Sequence, residues 1–167
     1  MIVIICGVSG AGKTTIGKLL AEELGWRFDE ADDFHSRANI DKMRRGVPLT
    51  DEDRSPWLDR LRQLIKKCVG AGENAVLASS ALKRAYRQHL RVSGEVKFVF
   101  LRGDYALIEK QLRLRRGHFM NPALLRSQLA DLEQPNPDEG VVTIELGRTP
   151  EEIVEEIKTK LNLTNKE

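Results

Sequence analysis

Gly7-Val8-Ser9-Gly10-Ala11-Gly12-Lys13-Thr14 is a full match to the pattern G-x-x-x-x-G-K-[ST], and its flanks decide the fold. It follows an apolar, β-branched run, Ile2 to Cys6, and opens a helical segment, Lys13 to Leu24, with apolar Ile16, Leu19, Leu20 and Leu24 at helical spacing. Strand, glycine-rich loop and helix in that order make a phosphate cradle. The glycines let successive backbone N–H groups point into one concavity, and the helix adds the positive end of its dipole. Gly7, Ser9, Gly10, Ala11, Gly12, Lys13, Thr14 and Thr15 are therefore the candidate polyphosphate-binding residues. Lys13 is suited to the β- and γ-phosphates, and the Thr14 hydroxyl to a Mg²⁺ ion that otherwise keeps its waters.

Outward from the cradle, strand-like and helix-like stretches alternate. Gly25 reads as a helix stop and Trp26 to Asp29 as a short second strand, followed by the acidic turn Glu30-Ala31-Asp32-Asp33. A helix is expected from about Ser36 to Arg45. Another is expected to open at Thr50 with Asp53 as its capping partner, carrying Trp57, Leu58, Leu61, Leu64, Ile65 and Cys68 on one stripe to Gly70. Ala75 to Ala78 and Val96 to Leu101 read as buried strands, with a helix at about 84–91 between them. Asp104 is placed to cap a helix to about Arg116, and Asn121-Pro122 to open one to about Leu132; Gln134 to Asp138 reads as a loop. Val141 to Glu145 is the last strand, Thr149-Pro150 a strong helix start, and 162–167 a frayed tail. The pattern implies an α/β fold: a five-stranded parallel sheet with helices on both faces, in three layers.

The 167 residues suit one domain, 1–167, with a core of ordinary size. With 41% hydrophobic and 31% charged residues the chain reads as globular rather than disordered, and a net charge of +2 is too weak to argue for nucleic acid. Cys6 and Cys68 form no metal- or redox-type pattern. A strand begins at once, with no basic leader and no long apolar span, so a cytoplasmic location without membrane contact is the expectation.

Phosphoryl transfer needs an in-line acceptor, neutralised oxygens and a dry site. The acidic turn lies just past a strand end, where open α/β sheets bind ligands, so Asp32 could take the proton of an acceptor hydroxyl and a second acid could hold a metal-bound water. Asp33 is read as a helix cap. The basic run Arg113-Leu114-Arg115-Arg116-Gly117-His118 opens a segment, about 113–134, of the kind that closes as a lid and clamps phosphates through guanidinium groups. His35, Arg37, Asn39, Lys83 and Arg87 offer donors to a polar, anionic acceptor.

Taken together, the cradle, Asp32-Asp33-Phe34-His35, Met43, the string Gly46-Val47-Pro48-Leu49-Thr50-Asp51-Glu52-Asp53-Arg54-Ser55-Pro56-Trp57-Leu58, Ser80-Ala81-Leu82-Lys83 with Tyr86-Arg87, and Arg116-Gly117-His118-Phe119 resemble gluconokinases of the P-loop type. The resemblance spans nearly the whole chain. It implies ATP-dependent phosphorylation of D-gluconate on its 6-hydroxyl to 6-phospho-D-gluconate, with Mg²⁺ and, in many members, a homodimer. It further implies Lys13, Asp32 and Arg116 as catalytic residues, and Arg115 beside the loop on the nucleotide. Asp32, His35, Arg37, Lys83, Arg87 and His118 would face the sugar acid, with Thr14 and Glu30 at the metal. Two departures stand out: Glu30 occupies a position that is usually Asp, and Ser79-Ser80 stand where a Walker-B carboxylate would follow the third strand.

Other readings remain. A shikimate kinase would show a Gly-rich turn where this chain has Ser79-Ser80-Ala81, and a nucleoside-monophosphate-type kinase is a second enzyme rival. A non-enzymatic P-loop binding module is the alternative class. A guanine-binding switch would carry N-K-x-D, and Asn165-Lys166 leaves no room for the Asp.

Overall fold

The computed structural model describes residues 1–115 and 123–164. Strands β1 (Ile2–Cys6), β2 (Arg27–Glu30), β3 (Ala75–Ala78), β4 (Val96–Arg102) and β5 (Val142–Glu145) form, among the described residues, one parallel sheet of order β2-β3-β1-β4-β5. Helices α1 (Lys13–Leu24), α2 (Arg37–Arg44), α3 (Asp51–Gly70), α4 (Arg84–Leu90), α5 (Tyr105–Arg113), α6 (Leu124–Asp131) and α7 (Pro150–Lys160) connect them, with 3₁₀ turns at Ala31–Phe34 and Pro137–Glu139.

All of β1 is buried, and its two-residue period explains why. Ile2, Ile4 and Cys6 face Trp57, Leu61 and Ile65 of α3 with Leu90 of α4, while Val3 and Ile5 face Ile16 and Leu20 of α1 with Val154 and Ile157 of α7. Helices on both faces of a parallel sheet give the expected three layers. Because β1 lies at the centre, the loop leaving its C-terminal end emerges in the middle of the sheet edge. Glu30 of β2 pairs in register with Ala78 of β3, which pairs with Ile5 of β1, so the acidic turn leaves the same edge as the cradle.

Element boundaries differ from expectation where a backbone group has a stronger local use. β2 starts at Arg27 because the Trp26 N–H closes the end of α1 on the Ala21 carbonyl, at 2.8 Å, after Gly25 turns left-handed at φ +66°. Asp33 lies inside the 3₁₀ turn and does not cap α2; Ser36 does, accepting the Asn39 N–H at 3.1 Å. Thr50 and Asp53 form the reciprocal capping box that fixes the start of α3. The expected fraying from Asn162 does not hold through Leu163, which is buried on the α1/α7 side; residues 165–167 lie outside the described residues. So does the Asn121-Pro122 start; α6 is described from Leu124.

One buried ion pair ties the far side of the sheet to the segment after α6. Arg87 of α4 donates through Nε and Nη2 to Glu139, at 2.9 and 3.2 Å, and its remaining N–H groups reach the carbonyls of Ala81, Leu82 and Glu133. Both side chains are almost fully enclosed, 2% and 6% exposed, and the guanidinium holds the Glu139 carboxyl below the ordinary range. The expectation that Arg87 faces the acceptor is therefore corrected. Its donors are spent on protein acceptors, and it works as an internal staple.

Removing one partner strands the other charge in the interior. Glu139→Ala should lower the unfolding free energy in urea by about 3–5 kcal/mol. The gap between wild type and variant should be full above about pH 4.3, the unfolded glutamate value, and close as pH falls through the depressed folded value.

Candidate active site

The cradle is close-packed from behind. A Cβ on Gly10 would sit 2.8 Å from the Ile108 carbonyl and 3.0 Å from Leu112 Cβ, so α5 can approach the loop only over a glycine. Gly12, at φ +92°, turns the chain into α1 in the left-handed conformation that favours glycine, and a Cβ there would meet nothing within 4 Å. Lys13 bends back over the loop and donates to the Val8 carbonyl at 3.0 Å. Burial pulls its pKa down, and the carboxylates of Asp32 and Glu30 oppose that pull.

The acidic turn closes one side. Thr14 Oγ1 donates to Glu30 Oε2 at 2.5 Å, so the extra methylene of glutamate spans to the hydroxyl of the cradle. Burial pushes both carboxyls up: Glu30 against the Thr14 hydrogen bond, Asp32 against the charges of Lys13 and Arg115. These side chains are oxygen donors beside a phosphate cradle, which suits Mg²⁺, an ion held by one or two protein oxygens with water and phosphate. Two buried hydroxyls nearby, Ser9 Oγ in the loop and Ser79 Oγ after β3, have no hydrogen-bond partner among the described residues, as expected of a site built to receive a polar ligand.

Two clefts meet at the loop. One is lined by Lys13, Thr14, Glu30, Asp32, His35 and Trp57 and roofed by Leu124, Ser127 and Gln128 of α6. The other runs along Gly10 to Gly12 and Thr15 to Gly147, Arg148 and Pro150. Arg115 lines both. Three contacts draw α6 down: the Ser9 N–H donates to Gln128 Oε1 at 2.6 Å, Arg54 pairs with Asp131 at 3.0 Å, and Leu124 packs on Met43 and Leu49.

His35 has its side chain 4% exposed, stacked on Trp57 with ring centroids 4.3 Å apart and planes 11° from parallel. Trp57 is itself held by its indole N–H on the Ala31 carbonyl, at 2.7 Å. Burial, with Arg54 and Arg60 nearby, lowers the His35 pKa to about 4, so the ring is neutral at pH 7.

Sequence reasoning thus placed Lys13, Thr14, Glu30, Asp32, His35 and Arg115 in one neighbourhood, and the structure brings these six together. It does not bring Arg37 or Lys83 there. Arg37 is exposed in the first turn of α2, outside the lining of both clefts. Lys83 is held by Asp51 at 2.9 Å, also outside both linings. Arg116 and His118 lie outside the described residues. Missed were Arg54, Trp57, Ser80 and Gln128. Arg54 is the buried cation facing the first cleft, donating to the Tyr86 hydroxyl at 3.0 Å as well as to Asp131. Its signal was present: Arg54 and Trp57 are three residues apart in the Pro48 to Leu58 string, hence on one helical face.

The sequence model of a family described as "AAA domain" matches residues 2–135. The gluconokinase of Gluconobacter oxydans is 44% identical over 155 residues, covering 92% of this chain and 87% of that protein. Among solved structures, a sugar kinase from a Janibacter species superposes with a TM-score of 0.92 at 45% identity, covering 98% of this chain and 95% of the other. A gluconokinase from Sinorhizobium meliloti gives 0.85 at 39% identity, with 96% and 90% covered.

The neutral, enclosed His35 has a measurable consequence. Because the unfolded chain takes up a proton near pH 6.5 and the folded chain only near 4, stability falls as pH drops between those values. Relative to His35→Phe, which keeps the stack and cannot titrate, the wild type should lose on the order of 3 kcal/mol of urea-unfolding free energy from pH 7 to 4.

Proposed function

The chain belongs to the gluconokinase family of P-loop kinases, and we propose that it transfers the γ-phosphoryl group of ATP to the 6-hydroxyl of D-gluconate, releasing 6-phospho-D-gluconate and ADP. The observation that carries this reading is the meeting of Lys13 and Asp32 in the cleft under α6, on the acceptor side of the cradle. The acceptor oxygen forms a bond to the γ-phosphorus, the bond from that phosphorus to the β,γ-bridging oxygen breaks toward ADP, and the hydroxyl proton passes to Asp32. Lys13, Arg115 and Arg116 neutralise the phosphate oxygens. Thr14 and Glu30 are the residues that would hold Mg²⁺, which when bound would supply charge neutralisation for the phosphates.

Adenosine is assigned to the cleft walled by Gly147 to Pro150, and gluconate to the cleft under α6. His35 and Arg54 face the sugar acid, Arg54 replacing Lys83 and Arg87 as the cation for its carboxylate, with His118 a further candidate. Residues 1–167 are read as a single kinase domain whose segment 113–134 is the lid. We read the protein as cytoplasmic, without nucleic-acid or membrane partners, and a homodimer as a possible assembly. The near-neutral charge bears on the nucleic-acid reading, and no described helix is long and apolar enough to cross a membrane.

A coupled ADP-release assay across gluconate, shikimate and nucleoside monophosphates should show turnover selective for gluconate; selective turnover of another acceptor overturns the assignment. Asp32→Asn should lower kcat by about 10²–10⁴-fold with little change in the gluconate KM. Because the Asp32 carboxyl is raised and a base must be ionised, wild-type kcat should fall on the acid side from above the ordinary carboxylate range. Lys13→Ala should abolish most turnover while the chain still folds, as read by its far-ultraviolet circular dichroism spectrum.

A further inference from the structure

Asn39 is buried in α2, 6% exposed, and its side-chain nitrogen has two neighbours. It lies 2.8 Å from the Asp53 carbonyl oxygen and 3.3 Å from His35 Nδ1. The first contact sets the orientation of the amide. A carbonyl only accepts, so the atom facing Asp53 is the NH₂ group and not the amide oxygen. The same NH₂ then offers its second hydrogen to His35 Nδ1, which must present a lone pair. A neutral imidazole carries one ring proton, so that proton sits on Nε2.

Nε2 faces Asp32, with 3.9 Å between it and Oδ1. That is too long for a direct hydrogen bond. An oxygen about 2.8 Å from each would subtend an angle of about 90°, which a hydroxyl can serve as donor to one and acceptor from the other. The tautomer decides which way the hydroxyl points. With hydrogen on Nε2, the ring donates to the hydroxyl oxygen and the hydroxyl's own proton is directed at Asp32. With hydrogen on Nδ1, two acceptors would compete for that single proton, and the Nε2 lone pair would face a carboxylate.

We propose that Asn39 is a positioning residue that holds His35 as the Nε2–H tautomer, so that His35 and Asp32 together seat an acceptor hydroxyl with its proton aimed at Asp32. The stack on Trp57 fixes the plane of the ring, Asn39 fixes its hydrogen, and neither touches the reacting atoms. The kinetic part of the proposal rests on the kinase reading above; the tautomer part stands on these contacts alone.

Long-range ¹H–¹⁵N correlation spectra of the ¹⁵N-histidine-labelled protein at pH 7 report which ring nitrogen carries hydrogen. His35 should be Nε2–H in the wild type. In Asn39→Asp, whose carboxylate accepts from Nδ1–H, it should convert to the other tautomer, with kcat down on the order of 10- to 100-fold and the ATP KM within about twofold. His35→Gln, whose amide nitrogen falls near Nε2, should retain more turnover than His35→Asn, whose nitrogen falls near Nδ1. This pair keeps the test open where Asn39→Asp fails to fold. Hydrogen on Nδ1 in the wild type, a switched tautomer with unchanged kcat, or equal activity of the Gln and Asn variants would overturn the proposal. Should the protein turn over a different acceptor, the substrate assignment fails while the spectra and the Gln/Asn comparison, run with that acceptor, still decide this one.

Discussion

A lysine ammonium half-buried in the first turn of a helix is disfavoured twice, because burial and the positive end of the helix dipole both oppose its charge. Lys13 is in that position, and most of the surrounding structure can be read as its compensation. The Val8 carbonyl takes one of its hydrogens, and the carboxylates of Asp32 and Glu30 lean the other way. Those carboxyls are in turn pushed up by burial, so neither side is electrostatically satisfied without the other. The sheet order serves the same end, since β1 must be central and β2 and β3 must end level with it for the acids to meet the loop.

What was legible in the sequence is what depends on short-range rules. The cradle, the Thr50-Asp53 capping box, the Gly25 stop and the two-residue period of β1 are each decided within a few residues, and each stands in the structure. The fold class followed from these because parallel strands joined by helices leave few arrangements. The candidate site was legible as far as its residues lie on the loop and on the strand end beside it. It failed where a side chain chose between partners distant in sequence. Arg87 and Lys83 looked like free cations, but Glu139 lies 52 positions from one and Asp51 32 from the other, separations at which no local pattern reports pairing. Arg54 failed for the opposite reason: it sits beside an apolar stripe that reads as core, and only the fold shows that the head of that stripe opens into a cleft. The glutamate at position 30 also becomes intelligible, because its reach is taken up by the bond to Thr14.

The two clefts are joined mechanically as well as by the loop. Helix α6 rests on the Ser9 N–H through Gln128 and on Arg54 through Asp131, and those two anchors belong to different substrates on the reading proposed here. Ser9 is part of the phosphate cradle, so a phosphate oxygen seeking its N–H competes with the Gln128 carbonyl. Arg54 is the cation of the acceptor cleft, so an acceptor carboxylate competes with Asp131. Each hydrogen bond exchanged this way is nearly neutral in free energy when the new acceptor is as good as the old. Neither exchange frees the helix by itself, because Leu124 stays packed on Met43 and Leu49 and Leu125 on Ile108 and Leu112; what an incoming anion changes is the partner of each polar anchor.

That exchange also bears on how an anionic acceptor is distinguished from a neutral one. Arg54 is enclosed, donating to Tyr86 and Asp131, and its charge is already matched by one carboxylate. A neutral polyol entering the cleft offers Arg54 nothing that Asp131 does not already supply, and it must bind under a helix still latched. On the proposed reading, an acceptor carrying its own carboxylate offers Arg54 a second anion that shares or exchanges the guanidinium N–H groups with Asp131. Discrimination then lies less in added attraction than in the contact that only an anion can displace. By linkage, whatever holds α6 down against the cradle must weaken acceptor entry by the same factor that acceptor binding weakens it. On the proposed reading, Asp131, distant from the phosphate cradle in sequence and absent from the chemistry, would share through Arg54 in setting which molecule reaches Asp32.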